Sequence, residues 1–89
     1  MKDNPVFSIV GPRKVRISRL GVALFNAQWP GSRLRSTRSY WYEFDRLGDL
    51  IDHDAAEYDG DTQEHGALCD DAKAWMDDGT IPEWARAAT

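Results

Sequence analysis

Two four-residue segments of one pattern, Ser18-Arg19-Leu20-Gly21 and Asp45-Arg46-Leu47-Gly48, each flanked by β-rich runs, most constrain how this 89-residue chain can fold. Ser or Asp stands first and Gly last, the signature of a three-residue hairpin loop. The short polar side chain caps the turn, and Gly takes the left-handed position of a G1 bulge. Closing the first segment pairs Ser18 with Val22. It gathers Val15, Ile17, Ala23, Phe25, Ala27 and Trp29 on one face and Lys14, Arg16, Leu24, Asn26 and Gln28 on the other. Closing the second pairs Asp45 with Asp49. Tyr40, Tyr42, Phe44 and Leu50 then share a face expected to point inward, with Trp41, Glu43, Ile51 and His53 opposite. Val6 to Val10, ahead of Gly11-Pro12, is a candidate further strand at the edge, with poor alternation.

The pattern changes near the end. Leu68, Ala72, Trp75 and Met76 recur at helical spacing behind Asp61-Thr62-Gln63-Glu64, which has the form of a capping box, and Gly79 is placed to stop the helix. The stripe is expected to pack on Phe25, Tyr42 and Phe44. Thr80-Ile81-Pro82-Glu83 is a second capping signature, predicting a short helix from Ile81 to about Ala88 with Trp84 folded back onto the core. Strands followed by helices predict an α+β domain spanning residues 1–89. Its antiparallel sheet has two hairpins and four strands, or five with the edge run, covered by one main C-terminal helix and completed by a short terminal one.

At this length a second domain is not expected. No run approaches the roughly 18 apolar residues that cross a bilayer, and Met1 to Pro5 lacks signal-peptide character, so a cytoplasmic location is expected. The single cysteine, Cys69, can form no internal disulfide.

Charge is divided unevenly along the chain. Residues 1–42 hold eight Lys or Arg against Asp3 alone, whereas residues 43–89 hold fourteen Asp or Glu against Arg46, Lys73 and Arg86. Each half suggests a different partner. Ser32-Arg33-Leu34-Arg35-Ser36-Thr37-Arg38, followed by Tyr40-Trp41-Tyr42, combines guanidinium groups for phosphates with rings for base stacking, so Arg33, Arg35 and Arg38 are candidate nucleic-acid ligands. The net charge of -4 opposes that reading, because it would repel the same polyanion. Acids dominate the second hairpin and the loop after it: Glu43, Asp45, Asp49, Asp52, Asp54, Glu57, Asp59 and Asp61. Such a surface is attracted to a basic groove on another protein. Trp41 and Ile51 would supply an apolar anchor within it.

The acidic run Asp52 to Asp61 lacks the calcium-loop register, since Ala56 and Glu57 stand where that loop needs a ligand and a glycine. His65 and Cys69 stand one helical turn apart, and even with His53 they form no zinc-ligand pattern. No nucleophile elbow, phosphate loop or oriented Cys-His pair is present, so neither a cofactor nor catalysis is expected. In size and charge the chain resembles the stoichiometric inhibitors of phages and plasmids, including anti-CRISPR and anti-restriction proteins. Taken with the acidic hairpin and its apolar anchor, the expectation is a non-enzymatic inhibitor docking Trp41, Glu43, Ile51, Asp52, Asp54, Glu57, Asp59 and Asp61 onto a basic, nucleic-acid-binding surface of a larger complex. The alternative is a nucleic-acid-binding or small regulatory protein using the Arg-rich loop.

Overall fold

The computed structural model describes residues 4–29, 31–32, 34, 38–55 and 63–88. The order is β1 (Phe7–Gly11), β2 (Lys14–Ile17), α1 (Arg19–Gln28), β3 (Tyr40–Phe44), β4 (Leu50–His53), α2 (Gln63–Asp78) and a 3₁₀ helix (Glu83–Ala88). The strands form one antiparallel sheet in the order β1-β2-β3-β4. The α+β layout of two hairpins, a main helix and a short terminal helix is therefore present. No helix among the described residues is long and apolar enough to cross a membrane.

The edge run is a strand, and it supplies the first hairpin's outer arm. Asn4 Oδ1 accepts from the backbone N–H of Val6 and of Phe7, both at 2.8 Å, and so sets the strand's start. Its alternation is poor because the register slips between Ile9 and Gly11, leaving Val10 as a bulge. Pro12 and Arg13 make the turn. Arg13, though not a glycine, has positive φ, 52°, as the second central position of a type II turn requires. Its Nε donates to the Asp45 carbonyl at 2.7 Å, tying the two hairpin turns together.

Residues 22 to 28, expected as a strand, are helical instead. Ser18 does not open a hairpin but caps α1, its Oγ accepting from Gly21 N–H at 3.1 Å. A Ser three residues ahead of a Gly serves either purpose, because in both the hydroxyl satisfies a backbone N–H close by. What separates the two segments is the glycine. Gly48 has φ 89°, the left-handed value its hairpin needs. Gly21 carries no such angle but lies where a Cβ would come within 2.8 Å of Val6 Cγ1 and Ile17 Cγ2. It lets α1 sit against the strands. Gly21→Ala is expected to cost about 1–3 kcal/mol through overpacking, read as a lower melting temperature with unchanged secondary structure. An unshifted melt would show that α1 stands off the sheet.

Helices and strands close around one core. Phe7, Val15, Ile17, Tyr40, Tyr42 and Phe44 from the sheet meet Val22 and Phe25 of α1, Leu68, Ala72 and Trp75 of α2, and Trp84. Trp75 stacks on Phe7 of β1, centroids 5.3 Å apart, a ring partner that the sequence pattern does not single out. Gly79, with φ 73°, ends α2 and donates its N–H to the Trp75 carbonyl at 2.8 Å. Trp84 folds back against Phe7 and Phe25 as the sequence suggests. Asp61 and Thr62 of the capping box lie outside the described residues.

Candidate partner-binding face

The described helices all lie on the inner face of the sheet. α2 contacts β1, β2 and β3, while α1 packs against the 3₁₀ helix and sets Gly21 on Val6 and Ile17. No described element covers the outer face. Alternation places Arg16 and Lys14 there from β2, Trp41 and Glu43 from β3, and Asp52 from β4, with Arg16 opposite Trp41 and Lys14 opposite Glu43. Trp41 is half-buried, and Lys14 Nζ lies 3.7 Å from its ring centroid.

The register read from the turn holds at first and then fails. Asp45 N–H donates to the Asp49 carbonyl at 2.9 Å, and Phe44 faces Leu50. Beyond that a bulge at Ile51 shifts the pairing by one, so Glu43 faces Asp52 rather than Ile51, and His53 joins the face of Tyr42 rather than that of Trp41. An extra residue reverses the alternation, which no turn rule foretells. Ile51 is left 57% exposed. At the tip, Asp45 Oδ1 accepts from Leu47 and Asp49 N–H, each at 2.9 Å, and this fixed turn presents Leu47 at 86% exposure. The sequence does not single out Leu47, because an apolar residue inside a turn signature reads as neutral. Alternation alone puts Lys14 and Arg16 on a polar face, and only the pairing of β2 with β3 brings them beside Trp41.

Electrostatics divides the acids. Glu43 and Asp52, directly opposite each other, form no ion pair among the described residues, because Lys14 sits over the indole instead. Asp54 is engaged internally: one carboxylate oxygen accepts Trp41 N–H at 2.9 Å and the other meets Arg38 Nη2 at 2.8 Å. Arg38 is committed in turn, with bonds to the carbonyls of Ser39 and Asp54 and its guanidinium carbon 4.4 Å from the Tyr40 ring centroid. Arg33, Arg35, Glu57, Asp59 and Asp61 lie outside the described residues.

His65 and Cys69 turn into the core rather than toward solvent. His65 is fully buried, its Nδ1 2.8 Å from the Tyr42 hydroxyl, with its ring edge-on to Tyr40. Among the described residues, no three His, Cys, Asp or Glu side chains gather as a metal ion would need. Burial, and next to it the charge of Asp70, push the Cys69 thiol up to about 12 against a smaller downward pull from Lys73. It is protonated at neutral pH and a poor nucleophile.

That shift has a sign. The unfolded thiol ionises first as pH rises, so the stability it contributes is complete below about pH 9 and is lost as pH rises toward 12. Cys69 is expected to resist alkylation in the native protein at pH 8, and Cys69→Ala to flatten the alkaline decline in stability. Rapid native-state labelling would contradict the buried placement.

No family model, curated protein or solved structure matches the chain.

Proposed function

We propose that this is a small non-catalytic binding protein that docks the outer face of its β3–β4 hairpin onto a basic, nucleic-acid-binding surface of a larger assembly and so blocks it. One observation carries the reading: Glu43 and Asp52 are cross-strand neighbours of like charge with which no cation among the described residues forms an ion pair, beside exposed Ile51 and Leu47. Like charges directly opposite on a sheet are destabilising. Within the fold Asp52 Oδ1 accepts the His53 N–H at 2.8 Å, which leaves the repulsion across the strands in place, whereas an external lysine or arginine would relieve it. The nucleic-acid alternative is disfavoured by Arg38, whose guanidinium is already bound to Asp54 and lies over Tyr40.

Two measurements test this. Asp52→Asn is expected to raise stability by up to about 0.5 kcal/mol in denaturant melts at low salt, since it removes one member of the repelling pair. Lower stability would mean that the carboxylate serves the fold. With the protein as bait, a basic partner retained by the wild type is expected to be lost with the Glu43→Gln/Asp52→Asn double variant. Retention by the double variant, with loss on Arg38→Ala, would favour the nucleic-acid reading.

A further inference from the structure

A second recognition feature lies on the helical side, away from the outer face of the sheet. Phe25, Gln28 and Trp29 at the end of α1, with Glu83 and Trp84 of the 3₁₀ helix, line a partly open cleft of about 210 Å³. That is roughly seven waters' share of liquid volume, enough for a trimethylammonium-sized head. Its walls are aromatic and set at angles. Trp29 stacks on Phe25 with centroids 5.0 Å apart, and Trp84 meets Phe25 edge-on at 5.4 Å and 86°. Trp84 is held in place: its Nε1 donates to Asp71 Oδ2 at 2.8 Å, and Gln28 Nε2 donates to its backbone carbonyl at 3.3 Å.

The electrostatics of this cleft favours one sign of charge. Indole faces carry negative potential, and the C-terminal end of α1 adds the partial negative charge of its last carbonyls, with no basic residue in the last turn to offset it. Glu83 contributes a full carboxylate that is exposed and makes no ion pair among the described residues. Arg86 belongs to the same 3₁₀ helix but does not line the cleft. An apolar guest without charge would use the rings alone, and an anion would be repelled.

We propose that this cleft binds an alkylated ammonium head group, held by cation–π contact with Trp29 and Trp84 and by the carboxylate of Glu83. Rings and carboxylate together form the kind of cage that recognises quaternary ammonium. The site is independent of the docking face, so either proposal can fail without the other.

The test is a titration followed by ¹H–¹⁵N correlation spectra, using choline and its neutral isostere 3,3-dimethyl-1-butanol. Choline is expected to shift the Trp29 and Trp84 indole N–H signals with a dissociation constant on the order of 1 mM, and the isostere to bind about fivefold more weakly or not at all. Glu83→Gln, at an exposed position that leaves the fold intact, is expected to weaken choline about threefold without changing the isostere. A parallel titration with N-acetyl trimethyl-lysine amide distinguishes a head group presented on a peptide, which would bind tighter than choline, from a free small molecule, which would not. Equal binding of choline and the isostere, or no indole shift with choline at tens of millimolar, would overturn the proposal.

Discussion

Trp75→Ala is expected to destabilise the protein by about 3–5 kcal/mol, enough to abolish a cooperative melt near physiological temperature. Trp75 is 2% exposed and stacks at 17° on Phe7, so its removal empties the seam between α2 and β1. Phe7 also meets Trp84, and Trp84 meets Phe25 of α1. The cavity therefore opens where sheet, both helices and the terminal segment converge. A chain of this length has a total stability of roughly 4–13 kcal/mol, so the loss takes a large share of it. Circular dichroism melts check this directly. A variant melting like the wild type would place Trp75 outside the core and contradict the packing of α2.

The same seam explains what was legible beforehand. β3 and the stripe of α2 could be read because Tyr40, Tyr42 and Phe44 alternate cleanly and Leu68, Ala72 and Trp75 follow one helical face, with nothing nearby satisfying the other period. α1 could not. Ala23, Phe25, Ala27 and Trp29 alternate as a strand would, while Gly21, Val22 and Phe25, the residues α1 buries, fit a helix equally well. Ser18 could cap either structure. The deciding fact, the close approach of Gly21 to Val6 and Ile17, is tertiary.

The candidate face divides along the same line. Trp41 and Glu43 point outward as alternation implies, whereas Asp52 takes the place beside Glu43 expected for Ile51 only because of the bulge. Charge counts marked the acidic half but not which acids are free. Asp54 spends its carboxylate on Trp41 N–H and Arg38, so its charge is already met in part within the fold.

Trp41→Ala is expected to have the largest effect on binding, about 2 kcal/mol or more, or some thirtyfold in affinity, expressed mainly as faster dissociation. The indole sits between Arg16, Lys14 and Glu43 at the middle of a face that no described element covers, where a partner would complete its burial. Losing the acids acts differently. Glu43→Gln with Asp52→Asn is expected to slow association and reduce its salt sensitivity, because exposed charges steer the encounter more than they hold the complex. Trp41→Ala also frees Lys14 from the ring, so stability is to be measured alongside. An unchanged melt with a raised dissociation rate separates lost contact from lost fold. Equal binding by wild type and Trp41→Ala would remove the indole from the interface.

Titration of the ¹⁵N-labelled protein at low salt, with a short lysine-rich peptide in one series and a single-stranded oligonucleotide in the other, tests docking through this face most directly. Docking through the β3–β4 hairpin requires the peptide to shift the Trp41 indole and the amides of Glu43, Leu47, Ile51 and Asp52, with the shifts fading as salt is added and the oligonucleotide leaving the spectrum unchanged. Shifts with the oligonucleotide centred on Arg38 and Ser39, and none at Glu43 or Asp52 with the peptide, would contradict it.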